Sequence, residues 1–196
     1  AAAPAAPAKP KRSARQALAD LEAASSWDDR TRLWKALREE GVFDEVFALY
    51  EKRANDNPGD ANAQVEFGTA CLQKLFTVND GPEKGVWAMK ADKAFDNALA
   101  IDDHNWAARF TKAVSLSNWP AFMGKQAQAA HQFEVLIEQQ KSGPVAPEHA
   151  QTYFYLGNMY QSMGKSEQAL ATWRQGLEIF PGNTQLQGQI SSASGH

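Results

Sequence analysis

The feature that most constrains this chain is a fixed arrangement of small and large residues, written most fully between Ala150 and Asn183. There the sequence AQTYFYLGNMYQSMGKSEQALATWRQGLEIFPGN places Tyr153, Leu156-Gly157, Tyr160, Ala169, Trp173 and Pro181 at regular offsets. Large residues three and four apart make one face of a helix, while Gly157 and Ala169 leave room for a second helix to approach. Gly164 supplies the turn between the two helices, and Pro181 ends the second because it cannot donate a backbone hydrogen bond inside a helix. One such pair cannot bury its apolar face alone, so the arrangement demands neighbours of the same kind.

Those neighbours are legible upstream. Between Trp27 and Asp60 the same frame places Gly41 at the turn, Tyr50 as the aromatic of the second helix and Pro58 as its terminator. Ser26 with Asp29 three residues on reads as a helix start, whereas Trp34 stands where a small residue is usual and predicts a looser helix pair. Ala61 to Asn105 keeps Phe67-Gly68, Ala91, Phe95, Ala98-Leu99 and Ile101, with added residues in LFTVNDGPEKGVW. Trp106 to His149 keeps Ala113, Ala129, Phe133 and Leu136, with added residues near SNWPAFMG and in SGPVAPEH.

On these residues the chain resembles the tetratricopeptide repeat (TPR) family, whose unit is about 34 residues long. The resemblance runs from Trp27 to Asn183, with Tyr153 in place of the usual Trp and Trp173 in place of the usual Phe in the last unit. It implies an all-α fold, a right-handed superhelical solenoid of antiparallel helix pairs. About four repeats are expected, at 27–60, 61–105, 106–149 and 150–183, the middle two with lengthened loops. Ahead of them, 13–25 reads as a capping helix through Ala14, Leu18 and Leu21, and 1–12 as a flexible Ala/Pro-rich tether. Residues 184–196 have weak periodicity through Leu186 and Ile190, broken by Gly188, and read as a partly disordered tail that leaves the last repeat poorly covered.

Composition removes several functions. Twenty basic residues among 23 acidic ones give a net charge of -3, with no stripe to follow a phosphate backbone, so nucleic acid is not an expected partner. Cys71 is the single cysteine, which excludes an internal disulfide and cysteine-based metal clusters. His104, His131, His149 and His196 have no ligand spacing, and NDGPEKG lacks the alternating ligands of a calcium loop and reads as a turn with a charged tip. No phosphate-cradling loop or nucleophile elbow occurs, and Asp28-Asp29 and Asp102-Asp103 belong to helix ends. No enzyme site, cofactor or metal is therefore expected. Nor does any apolar run reach the roughly 18 residues of a membrane span, so direct membrane insertion is not expected. The opening AAAPAAPAKPKRSA, without methionine, fits a bacterial periplasmic or membrane-tethered protein, with a cytoplasmic one as the alternative.

The resemblance further implies that the first helix of each repeat lines a concave groove. In the first unit the lining is charged: Asp28, Thr31, Arg32, Lys35, Arg38 and Glu39. Asn62, Val65, Glu66, Thr69 and Leu72 follow in the second, and Phe110, Thr111, Val114 and Asn118 in the third. The fourth offers Gln151, Phe154, Tyr155, Asn158 and Gln161. Charge fades and aromatic area grows toward the C-terminus, so the expected partner-binding residues are Phe110, Val114, Phe154, Tyr155 and Asn158. The alternative is that these rings pack on the next helix or under a terminal segment.

The family's carboxylate clamp is not reproduced at Thr31, Lys35, Glu66, Ala107 and Thr111, so recognition of a chaperone tail is not expected. A second surface is offered by the two lengthened connections, expected to touch along one edge, where Phe76, Trp87, Trp119 and Phe122 either form an interface or pack on one another. The expected function is a scaffold or adaptor that binds a peptide or protein in the groove, in cell-envelope assembly. The alternatives are a structural protein that self-associates through the array, and the regulatory fragment of a larger enzyme.

Overall fold

The structure is a computed structural model that describes residues 12–24 and 27–195. Residues 1–11, which hold most of the expected tether, lie outside the described residues, as do the expected cap Ser26 and His196. The described residues form ten α-helices and no strand: α1 (Ala14–Ala23), α2 (Trp27–Glu39), α3 (Phe43–Asp56), α4 (Ala61–Lys74), α5 (Gly81–Ile101), α6 (Trp106–Ser117), α7 (Gln126–Gln140), α8 (Ala150–Ser162), α9 (Ser166–Ile179) and α10 (Thr184–Ser194). Short 3-10 turns at Ala121–Met123 and Pro147–His149 precede α7 and α8.

Local chemistry sets these boundaries. Gly41 and Gly164 adopt positive φ, 66° and 75°, a conformation that costs other residues a Cβ clash. Each closes the same helix end: Val42 N–H reaches back to Leu37 C=O at 3.0 Å, and Lys165 N–H to Tyr160 C=O at 2.8 Å. The turns before α4, α6 and α10 also share one design. Asp60, Asn105 and Asn183 each donate a backbone N–H to the residue three back, at 3.0, 3.1 and 2.9 Å. Each then caps the helix that follows, accepting from Ala63, Ala108 and Leu186 N–H at 3.2, 2.9 and 3.0 Å.

The residue eight beyond each cap decides how closely a pair can pack. A Cβ on Gly157 would lie 2.1 Å from Trp173 Nε1, and one on Gly68 2.7 Å from Phe95 Cε1, so in α8 and α4 the partner ring occupies the missing side chain's place. Ala113 is the buried equivalent in α6. In α2 that place holds Trp34, 4% exposed, whose ring sits 5.9 Å from Phe43 and 5.8 Å from Tyr50. The indole props α2 and α3 apart, and this pair approaches far less closely than the three that follow. The looser first pair expected from Trp34 is what the packing shows.

Two apolar cores result. One gathers α1 to α5 around Leu21, Trp34, Leu37, Val46, Tyr50, Cys71 and Phe95; the other gathers α6 to α10 around Phe110, Phe133, Leu136, Tyr153, Trp173 and Leu186. Between them the buried positions are small, Ala63, Ala94, Ala98 and Ala108, and the contacts are polar. Asn105, the cap of α6, donates to Asn62 Oδ1 on α4 at 3.3 Å, and Lys112, on α6, pairs with Asp96 and, at 3.5 Å, with Asp92 on α5.

Four sequence expectations need correction. Arg12 is no part of a loose tether: its guanidinium makes a fork to Glu40, at 2.8 and 2.7 Å, and reaches Asp20 at 3.0 Å. The segment NDGPEKG is a helix start, since Asp80 accepts from Glu83 N–H at 2.6 Å and Pro82 fits the first turn. Most of the added length between α4 and α5 is thus wound into α5, and only residues 75–80 connect them. The segment after Asn183 is the helix α10, not a tail. Leu186 is fully buried against α9, so the last repeat is covered, and the outer face of α10 is polar (Thr184, Gln185, Gln187, Ser191). Finally, the four rings beside the two connections do not gather: Phe76 and Phe122 stay exposed, and Trp87 and Trp119 pack inward separately. Trp87 meets Phe47 edge-on at 5.4 Å, while Trp119 lies against the C-terminal core.

Candidate binding groove

The first helices of successive pairs stand side by side, α4 against α6, α6 against α8, and α8 against α10. Counting from each cap, the residues two, five, six, nine and twelve positions on fall in one stripe that faces away from the second helices. In α8 these are Gln151, Phe154, Tyr155, Asn158 and Gln161, all at least partly exposed, whereas Thr152, Tyr153, Leu156, Gly157 and Met159 are buried. In α4 they are Asn62, Val65, Glu66, Thr69 and Leu72, again partly or fully exposed. In α10 the stripe offers Gln185, Gln189 and Ser192.

The structure divides the five residues expected to bind a partner. Phe110 is 6% exposed: its ring stacks on Trp106 at 4.5 Å, and meets Phe133 at 5.8 Å and Tyr155 at 5.4 Å edge-on. Phe110 therefore lies beneath this stripe rather than on it, because the bulk of Trp106 and Tyr155 closes over it; Thr111 is buried beside it. Val114, Phe154, Tyr155 and Asn158 remain partly exposed. Phe154 and Tyr155 meet edge-on at 5.6 Å, and Tyr155 stacks on Phe133 at 5.9 Å, so both rings are held rigidly on the core. The backbone beneath them is tied as well, since Trp173 Nε1–H donates to Phe154 C=O at 3.4 Å. Asn158 makes no side-chain hydrogen bond among the described residues, which leaves an amide donor and acceptor open beside the two rings.

Charge on this surface sits at its N-terminal end. Arg32 pairs with Asp29, Lys35 with Glu39 at 3.8 Å, and Arg38 donates to Gln73 at 2.8 Å. Glu66 accepts from Arg53 at 2.9 Å. From α6 onward the links along the row are amides: Gln151 Nε2 donates to Gln185 Oε1 at 2.9 Å.

Sequence reading did not foresee that His104 and His149 line one pocket of about 230 Å³ with Trp106, Leu136, Gln139, Gln140 and Pro144. No spacing rule could have found it, because the turns before α6 and α8 meet only through the fold. Its unpaired amide oxygens, Gln139 Oε1 and Gln140 Oε1, are sealed from solvent, and Gln140 Nε2 and Trp106 Nε1 are both spent on Thr152 Oγ1, at 2.8 and 3.2 Å. The buried amide oxygens and the indole N–H of the pocket are thus closed to a visiting ligand. Among the described residues no group of His, Cys, Asp and Glu is placed to hold a metal. Cys71 is fully buried, and burial pushes its thiol up to about 12, which removes it as a nucleophile.

Antiparallel helix pairs stacked with their first helices in a row define an all-helical repeat solenoid. No family model matches the sequence, and no curated protein matches it. Solved structures do match. TTC0263, a thermophilic TPR protein of Thermus thermophilus, is 16% identical with a TM-score of 0.65, over 92% of this chain and 98% of that one. MamA is 18% identical with a TM-score of 0.59, over 82% of this chain and 81% of that one. At such identities the likeness speaks for the fold, and the chain has the tetratricopeptide-repeat fold. No helix among the described residues is long and apolar enough to cross a membrane.

Proposed function

We propose that this protein is a scaffold that holds an extended segment of a partner protein in the groove between α6, α8 and α10. The observation that carries this reading is the pair of partly exposed rings, Phe154 and Tyr155, locked on the core beside the open amide of Asn158. Rigid aromatics give contact area at small entropic cost, and a free amide matches the donor-acceptor alternation of a peptide backbone. Self-assembly by stacking through the C-terminal end is disfavoured by the polar outer face of α10, which is how solenoids terminate.

The test uses random twelve-residue peptides displayed on phage, selected against the whole chain, with affinities of the enriched peptides measured by fluorescence anisotropy. Phe154→Ser and Asn158→Ala are expected to weaken binding by about tenfold or more, because central aromatics dominate interface energies. Arg174→Ala, exposed on α9, is the control expected to leave binding unchanged. Peptides that bind all these variants equally well would refute the groove.

A further inference from the structure

Resting on the groove reading, we infer that the segment it receives is uncharged, and that binding is almost independent of salt. The stripe that lines α4, α6, α8 and α10 contains one ionised side chain, Glu66, and that carboxylate is already paired with Arg53 at 2.9 Å. From Asn105 to Ser194 the lining positions are apolar, amide or hydroxyl; α8 and α10 carry no charged side chain on any face, and on α6 Arg109 and Lys112 lie off the stripe, each paired with an aspartate. A charged side chain laid on this lining would leave water without a counter-charge, which the desolvation of ions makes unfavourable.

Amides suit a neutral occupant. Asn158 and Gln161 offer donors and acceptors along the row, while Gln151 and Gln185 are bonded to each other across α8 and α10. The occupant is thus a segment with apolar side chains that fit against Val114, Phe154 and Tyr155, and with backbone or Asn/Gln amides facing those polar positions. Leaving a charge unpaired is also how such a lining excludes acidic and basic tails. The charged set on α2, with Arg32, Lys35 and Arg38, lies at the far end of the row and does not reach α8.

The peptides selected on phage decide this. The expected pool is depleted in Asp, Glu, Lys and Arg relative to the starting library, and the best binder's Kd changes by less than about twofold between roughly 50 and 500 mM NaCl, since screening acts on charge pairs. Asn158→Lys, which places one ammonium at the centre of the lining, is expected to weaken that binder by about tenfold, while circular dichroism reports an intact fold. An enriched pool carrying recurrent charges, with a Kd that rises about tenfold over that salt range and is sensitive to Phe154→Ser, would overturn the neutral lining but keep the groove. Binders insensitive to Phe154→Ser, or no enrichment at all, would remove the groove itself and the inference with it.

Discussion

Replacing Gly157 by alanine isolates the close approach on which the last repeat depends. The new Cβ would lie 2.1 Å from Trp173 Nε1, 2.4 Å from Cδ1 and 2.6 Å from Cε2. Ordinary carbon contact needs about 3.5 Å, so a rigid ring that is 2% exposed must shift by about 1.4 Å or the two helices must part. Overpacking of this kind costs about 1–3 kcal/mol, and the shift strains the indole hydrogen bond to Phe154, worth about 1 kcal/mol. Alanine returns about 1 kcal/mol through helix propensity.

The net expectation is a loss of about 1–3 kcal/mol, a fall in Tm of roughly 2–12 °C for a chain of this size. Gly188→Ala makes the same chemical change within α10, where nothing lies within 4 Å of the added carbon, and should stabilise by about 0.5–1 kcal/mol. Thermal melts followed by circular dichroism and by tryptophan fluorescence compare the two. A Gly157→Ala variant as stable as Gly188→Ala would refute the reasoning that Trp173 fills the glycine's space.

Other perturbations follow from the same packing. Leu186→Ala should cost about 2–4 kcal/mol in chemical denaturation, because its side chain is fully buried beneath α10; a change near zero would mean that α10 does not cap the array. Trp34→Ala should cost about 3–5 kcal/mol, and hydrogen exchange should quicken in α1 to α3 while α8 and α9 stay protected, as expected of two cores joined by alanines and polar contacts. Cys71 should resist iodoacetamide at about pH 8 in the native state and react on unfolding; rapid native labelling would contradict its burial. Burial raises the folded Cys71 thiol to about 12, with Tyr50 and Tyr160 also raised, mainly by burial. The unfolded thiol titrates near about 8.5, so their stability contribution is complete below that pH and is lost as pH climbs toward the folded values. Denaturant midpoints measured between about pH 8 and 11 should fall, and less steeply in Cys71→Ala.

How far the sequence carries depends on whether the controlling contact is local. Gly41, Gly164, Pro58 and Pro181 punctuate the chain through backbone chemistry that each residue brings with it, and Trp34 signals its own loose pair. Leu186 does not signal α10, because a single buried leucine amid glutamines and serines gives little periodicity, and Asn183 matches the caps Asp60 and Asn105 only once the helix behind it is seen. Phe110 is a groove residue by register alone. Its burial comes from Trp106 and Tyr155, one on its own helix and one on another, and only the assembled stack reveals it. That Val114, Phe154, Tyr155 and Asn158 share one partly exposed stripe is legible, since the stripe follows from the helical period. The edges behave differently again: Phe76 and Phe122 stay exposed, at 71% and 86%, while Trp87 and Trp119 turn inward to different cores.

Site-specific photo-crosslinking in living cells of the source organism tests the groove most directly. A benzophenone amino acid placed at Val114, at Asn158 and, as control, at Arg174 on α9 reports what lies against each surface. The account predicts one common adduct from Val114 and Asn158 and none from Arg174. An adduct from Arg174 with none from the two groove positions would contradict it.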